Sequence, residues 1–382
     1  MEAKAKSSAS RTIEHGSLAV SVIVLITLVL VCIAVPIILS RALPATPSIK
    51  PSAPSAQTPV TPDPSGRDTT PVFAGATVMR PVANADTATV TDQIDSRYGV
   101  IVDAQTGAIL AGKNADERFH IASMTKIMTL IVACERLQTW ELGMELSFTS
   151  EINAFVRPSD KTDPYYNSDC HWSDIGDGAT LLEQLYGIGV ESAADCAVMV
   201  ATYLVGSSPD VSEAQFVAWM NEKATEMGLA NTHFDNLVGN EGATHYSTAN
   251  DVATMLLYAL KSPLITDILS TKYRAFEMFG YNSAGEFVRV NGYYYSTLFN
   301  ANPQSSSREL AYQNKYGKFS LSALTLEGGK TGSLKVDSTW LYSLASFAKD
   351  RSGNRYIVVT GETVIGSEVL RDAKYLYDTY GK

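Results

Sequence analysis

A hydroxyl and an amine three residues apart, Ser123 and Lys126, stand at the mouth of an almost wholly apolar run, Ile127-Met128-Thr129-Leu130-Ile131-Val132-Ala133. The run holds neither Pro nor Gly, so it reads as a helix buried on most sides rather than an amphipathic surface helix. A spacing of three puts both side chains on one helix face. The helix start adds unpaired backbone N–H groups and positive potential, which favour an ionised nucleophile and a developing oxyanion. A lysine at the end of so apolar a helix loses water, which disfavours its charged form and lowers its pKa. Such an amine can accept the proton of Ser123.

Ser-x-x-Lys is a short pattern, and Ser346-Phe347-Ala348-Lys349 matches it equally well. That second match lies in alternating sequence just before Asp350-Arg351-Ser352-Gly353-Asn354 and reads as the end of a strand entering a turn. A second place for chemistry is Leu324-Thr325-Leu326-Glu327-Gly328-Gly329-Lys330-Thr331-Gly332-Ser333, a strand with glycines on both sides of a Lys-Thr pair. Glycine lets a ligand backbone approach the strand, while Lys330 and the Thr331 hydroxyl offer a carboxylate a charge and a donor. A third is Ser192, in the break Gly187-Ile188-Gly189-Val190-Glu191-Ser192-Ala193-Ala194-Asp195 between two helical halves. His171, Trp172 and Asp174 read as a solvated loop, because no second His or Cys stands at metal-ligand spacing. Neither a metal nor a cofactor is expected.

These residues need a scaffold that brings them together. Residues 98–103 and 108–111, joined by Gln105-Thr106-Gly107, predict a hairpin, and the nucleophile helix follows. Residues 142–177 are polar and predict loops with one or two short strands. Helical periodicity returns over 180–205, from a capping box at Ser212 and Gln215 to Gly228, and from Ser247 to the residues before Pro263. Trp340 to Leu344 and Tyr356 to Thr360 predict a second hairpin, and Ser367 to Tyr380 a last helix. The fold class is therefore α/β of the α+β type: an antiparallel sheet built from both ends of the domain and covered by helices, plus a helical subdomain.

The whole chain has 382 residues, 45% of them apolar, enough for a sizeable core. Its formal charge of −10, without a basic cluster, argues against nucleic acid as a partner. Residues 1–16 form a polar tail and 17–39 an uncharged apolar stretch long enough to span the bilayer as a helix. Lys4, Lys6 and Arg11 before it favour a cytoplasmic tail. The alternative is a cleaved signal peptide with Ser40-Arg41-Ala42 at its end, which would make the protein secreted. Residues 40–84, rich in Pro, Ser and Thr, predict an extended spacer, and the folded domain is expected over 85–382. With Cys32 in the apolar stretch, Cys134 and Cys196 fall in helical runs as core residues. A bridge from Cys170 to either is left open.

With Ser123-Met124-Thr125-Lys126 early, Ser192 in the middle and Lys330-Thr331-Gly332 late, the chain resembles the penicillin-recognising serine enzymes. Among them it looks most like the low-molecular-mass D-alanyl-D-alanine carboxypeptidases. The further stretches that carry the likeness are Asn221 to Ala224, Met227 to Leu229, Asn231 to Phe234 and His245 to Ala249. The resemblance implies a β-lactamase/DD-peptidase-like fold, with Ser123 as acyl-enzyme nucleophile, Lys126 as general base and Ser192 in the proton relay. It also implies an oxyanion hole from the backbone N–H groups of Ser123 and Ser333, and Lys330, Thr331 and Gly332 around a terminal carboxylate. The implied partners are a peptidoglycan stem peptide, β-lactams as inhibitors, and a membrane through the N-terminal helix, with the domain on its outer side. The chain closes soon after the domain, so the anchor is expected at the N-terminal span rather than after an added β-rich domain. One position departs from the family's Ser-x-Asn: here Ala194 follows Ala193, and loss of the amide would cost one to a few kcal/mol of a hydrogen bond's usual worth. A membrane-tethered, catalytically weak binding homologue is the second reading, and a β-lactamase the third.

Overall fold

Strand-forming stretches from opposite ends of the chain share one sheet. The computed structural model describes residues 66–160, 165, 168–299 and 320–381. In chain order it begins with β1 (Ala88–Thr89), β2 (Tyr98–Asp103) and β3 (Ile109–Lys113). The helix α1 (Lys126–Arg136) follows, then β4 (Glu145–Ser147), α2 (Ser150–Val156) and β5 (Gly178–Thr180). The middle is helical: α3 (Leu181–Tyr186), α4 (Ala194–Val205), α5 (Pro209–Glu226), α6 (Ala249–Ala259) and α7 (Pro263–Ser270). The end comprises β6 (Tyr273–Tyr281), β7 (Phe287–Tyr295), β8 (Thr325–Val336), β9 (Thr339–Lys349), β10 (Arg355–Thr363) and α8 (Glu368–Tyr380).

The main sheet has the order β1-β3-β2-β10-β9-β8. β10 runs antiparallel to β2, from Tyr356 opposite Asp103 to Gly361 opposite Tyr98, which is the expected union of the two ends. Only the short β1 departs, pairing parallel with β3. On one face Leu344, Ala348 and Val358 pack against Leu376 and Tyr377 of α8. On the other, Val100, Val102, Phe347 and Val359 join the core built around α1. β8 is left at the sheet edge, so one side of its backbone has no strand partner.

α1 sits at the centre because it can: every residue from Lys126 to Cys134 is buried, as an all-round apolar helix requires. α5 starts one turn earlier than the Ser212 capping box suggests, with Ser208 as N-cap and Pro209 at the first position. Proline has no N–H to leave unsatisfied there and its φ is already helical. α6 starts at Ala249 rather than Ser247, with the Thr248 hydroxyl accepting from Asp251 N–H.

Two features differ from the sequence expectation. A second sheet, β4-β5-β6-β7, lies beside the helices; β4 is one of the short strands expected within 142–177, whereas the nine-residue β6 and β7 were not expected. β4 and β5 have three residues each, too few for alternation to be visible in sequence. The expected spacer also ends well before residue 84. Val72 N–H donates to the Leu137 carbonyl at 2.9 Å and Phe73 N–H to that of Cys134 at 3.0 Å, so this strap satisfies carbonyls at the C-terminal end of α1. Phe73 is buried and meets the Tyr258 ring edge-on at 5.3 Å. Val82 continues the strap by exchanging backbone hydrogen bonds with Gly107 and Ile109. The domain therefore includes the strap, beginning near Asp68 instead of Ala85.

Cys134, Cys170 and Cys196 are all free thiols, so the bridge left open for Cys170 is not formed with either partner. Cys32, the apolar stretch 17–39 and the tail lie outside the described residues. Among the described residues no single helix is long and apolar enough to cross a membrane. Truncation of the strap's anchor tests its place in the domain. Phe73→Ala in the full chain is expected to lower stability by about 3 kcal/mol, read from the midpoint of urea unfolding; an unchanged midpoint would return these residues to the spacer.

Candidate functional site

Ser123 lies in a tight 3-10 turn, Ala122–Thr125, that runs directly into α1. The turn is held from several directions. Ala122 takes a positive φ of 49°, rare for a residue with a side chain. Its carbonyl is covered by Gly239, where an added Cβ would fall 1.8 Å from Ala122 O. Gly239 itself has φ +90°, so glycine is required there on both counts. Ahead of the turn, the buried Glu362 accepts from His120 N–H and faces His120 Nδ1, both at 3.2 Å, and pairs with Arg97 at 2.9 Å. Burial alone would raise the Glu362 pKa, but the His120 hydrogen bonds and the Arg97 charge hold it below the usual range. His120 is raised in return, chiefly by its hydrogen bond to Glu362.

Inside the turn, Thr125 Oγ1 meets His245 Nε2 at 2.8 Å, while His245 Nδ1 accepts from Asp235 N–H at 3.1 Å. The proton of the neutral ring is thus on Nε2 and donates to Thr125. Burial pushes the His245 pKa down to about 4, which keeps the ring in that form.

The Lys126 side chain is buried, with Nζ 3.2 Å from Ser123 Oγ and donating to the Val238 carbonyl at 3.0 Å. That carbonyl belongs to a turn wound around Asn236, whose Oδ1 accepts from the N–H groups of Val238, Gly239 and Asn240. Burial lowers the Lys126 pKa to about 8, with Asp169, Cys170, Asp195 and Cys196 acting in the opposite direction. The amine can therefore be neutral near physiological pH.

Ser192 follows a π-helical turn, Gly187–Glu191, and takes the left-handed conformation at φ 67° before α4 begins. A π turn carries an extra residue and often marks a functional site. Among the described residues no hydrogen bond joins Ser192 to Ser123 or Lys126, although Asp195 and Cys196, just beyond it, act on the Lys126 charge. Ala194 is buried, and its N–H donates to the Asp169 carbonyl at 2.8 Å. Asp195 does not take over the missing amide's place. Its carboxylate accepts from the N–H groups of His171, Trp172 and Cys196, at 3.1, 2.7 and 2.9 Å. His171 also faces Glu191 at 2.8 Å and Trp172 is buried, so these two belong to a packed wall rather than the solvated loop expected, while Asp174 is exposed as expected.

Lys330 on β8 is almost wholly buried, and its Nζ donates to the Thr331 carbonyl at 3.0 Å. Burial, reinforced by the Lys126 charge, pushes its pKa well down, against the pull of Asp169. The two amines are thus near enough for each charge to act on the other. Thr331 Oγ1 lies 2.8 Å from Thr297 Oγ1, just after β7. At Gly332 an added Cβ would stand 3.0 Å from Ile121 O and 3.5 Å from Ser123 N, so β8 passes against the nucleophile turn. Ser333, next along the strand, is exposed.

The structure thus joins Ser123 to Lys126 and runs β8, with Lys330, Thr331 and Gly332, alongside the nucleophile turn, while Ser192 leads into α4, whose Asp195 and Cys196 act on the Lys126 charge. Sequence reasoning missed Glu362, Asn236, Gly239 and His245 as supports. His245 lies in a stretch that carries the family likeness, whereas Glu362 and Asn236 stand in no pattern that a single sequence displays.

A family described as D-alanyl-D-alanine carboxypeptidase matches residues 84–359. D-alanyl-D-alanine carboxypeptidase DacF of Bacillus subtilis (strain 168) is 35% identical over 177 residues, which are 46% of this chain and 42% of the relative. The D-alanyl-D-alanine carboxypeptidase of Streptomyces sp. (strain K15) is 30% identical over 191 residues, 50% of this chain and 63% of the relative. The matches thus span roughly half the length of these curated relatives. In fold, the crystal structure of the Streptomyces K15 DD-transpeptidase superposes with a TM-score of 0.60 at 24% identity, covering 77% of this chain and 100% of that one. On the family match, which takes in most of the domain including both lysines of the cleft, the chain belongs to the D-alanyl-D-alanine carboxypeptidase family.

Proposed function

We propose that this protein is a serine-type D-alanyl-D-alanine carboxypeptidase that removes the terminal D-alanine from peptidoglycan stem peptides. The observation that carries the reading is the dry Lys126 amine 3.2 Å from Ser123 Oγ, with a second buried amine, Lys330, near enough for the two charges to act on each other. Neutral Lys126 takes the Ser123 proton as Oγ attacks the carbonyl of the penultimate residue. Oxyanion charge develops near the backbone N–H groups of Ser123 and Ser333. The leaving D-alanine amine takes a proton, with Ser192 in the relay, and water then releases the acyl group. Lys330 and Thr331 hold the substrate carboxylate, whose charge offsets the desolvation of Lys330. A β-lactam would acylate Ser123 by the same first step and, without rapid hydrolysis, remain attached. Residues 17–39 would tether the domain on the outer side of a membrane, where that polymer lies.

Three outcomes test this. Full-chain protein is expected to form a covalent adduct with a fluorescent penicillin and to release D-alanine from diacetyl-Lys-D-Ala-D-Ala, both lost in Ser123→Ala with unchanged thermal unfolding. Labelling that survives in that variant would reject the site. Because the base must be neutral, kcat/KM should rise with pH through about 8, the value to which burial brings Lys126, and level off above it. A rate that falls across that interval would contradict the assignment. Ala194 is buried, so Ala194→Asn should overpack its site at a cost of about 1–3 kcal/mol and leave turnover no higher, measured by chemical unfolding and D-alanine release; a gain in turnover would mean the amide fits.

A further inference from the structure

One carboxylate near both lysines has neither a role in the scheme above nor a backbone donor that engages it. Asp169 is exposed, and among the described residues its side chain has no hydrogen-bond or ion-pair partner. Its backbone is fixed at the site, since its carbonyl accepts from Ala194 N–H at 2.8 Å. The neighbouring Ser168 is tied by its Oγ to Asn240 Nδ2 at 3.0 Å, on the same turn that receives Lys126. The charge of Asp169 is felt by both cleft lysines. The groups around Lys126 are Asp169 and Cys170 from this segment, Asp195 and Cys196 from α4, and Lys330 from β8. Of the two carboxylates, Asp195 is engaged by three backbone N–H groups and Asp169 is not.

With Lys126 neutral and a peptide carboxylate seated against Lys330, whose ammonium form that carboxylate favours, the remaining charge nearby is the Asp169 carboxylate. A peptide bearing only its terminal carboxylate satisfies Lys330 and is repelled by Asp169. A peptide that also carries an ammonium group complements both. We propose that the Asp169 carboxylate is a subsite for a cationic side chain on the acyl side of the scissile bond, making the cleft selective for zwitterionic peptides. The inference rests on the carboxypeptidase reading for the register of the peptide, with its carboxylate at Lys330 and Thr331 and its acyl residue at Ser123. Ala194 contributes no polar side chain beside it, and of the charged groups on this segment Asp195 is engaged by backbone N–H groups, which leaves Asp169 as the charge open to the substrate.

The test uses the full chain and two probes, Nα-acetyl-Lys-D-Ala-D-Ala with a free ε-amine and its diacetyl counterpart. The free amine should be favoured about fivefold in kcat/KM, near the top of the range for an exposed ion pair. The preference should shrink in high salt. Asp169→Asn should bring the ratio to about one, with penicillin acylation still proceeding. The same substitution removes a negative charge near Lys126, so the rising limb of the pH profile should move to lower pH for both probes alike. A wild-type ratio near one, or a ratio that Asp169→Asn leaves unchanged, overturns the proposal. Calorimetric binding of both probes to Ser123→Ala separates the two claims. If neither probe is turned over but the free amine still binds more tightly in an Asp169-dependent way, the carboxypeptidase reading fails and the subsite stands; equal binding removes the subsite.

Discussion

An amine deprived of water is the constraint on which the structure depends. Placing Lys126 at the head of a helix buried on all sides makes its ammonium form costly, and the cost is tempered rather than cancelled. The Val238 carbonyl and the Ser123 hydroxyl keep the nitrogen from being an orphan. Acids nearby pull its pKa back up, but none forms an ion pair with it among the described residues. Asp195 stands close yet spends its oxygens on backbone N–H groups. A tighter carboxylate would fix the lysine as a cation, and a wholly apolar pocket would leave it without an acceptor. The balance lies between these extremes.

Maintaining that balance takes segments far apart in sequence. The turn wound around Asn236 supplies both the lysine's acceptor and the glycine that seats against Ala122. β10 supplies Glu362, which holds His120 ahead of the nucleophile. His245 reaches Thr125 between the two reacting residues. β8 then closes the cleft with its unpaired edge, a position it owes to being last in the order of the main sheet. The nucleophile is thus fixed by contacts to its neighbours in the turn more than by any contact of its own.

Much of this architecture was legible. Strands at both ends, helices between, and the closeness of Ser123 to Lys126 follow from period and spacing alone. The repeated Ser-x-x-Lys at Ser346 falls at the end of β9, as its alternating context requires. What stayed hidden has physical causes. β4 and β5 have three residues each, too few for alternation to stand out from chance. The strap looked like spacer because it continues a stretch rich in Pro, Ser and Thr, and one aromatic, Phe73, with a few backbone donors is enough to dock it. His171 and Trp172 looked solvated because the groups that pin them, Asp195 and Glu191, lie about twenty residues downstream. Supports made by backbone hydrogen bonds leave little trace in side-chain chemistry.

The widened turn at Gly187–Glu191 has a consequence for how the segment can vary. Gly187 lies against Cys196 and Tyr294, and Gly189 against Ile268, so the coil is clamped from outside while it holds its surplus residue. Deleting any one residue would let ordinary helical winding resume and swing whatever follows by about 100°. The Ser192 hydroxyl would then point elsewhere with every side chain still present. At this place the tally of residues matters as much as their kind, and a chain with the right letters but one fewer of them would lack the wall's serine.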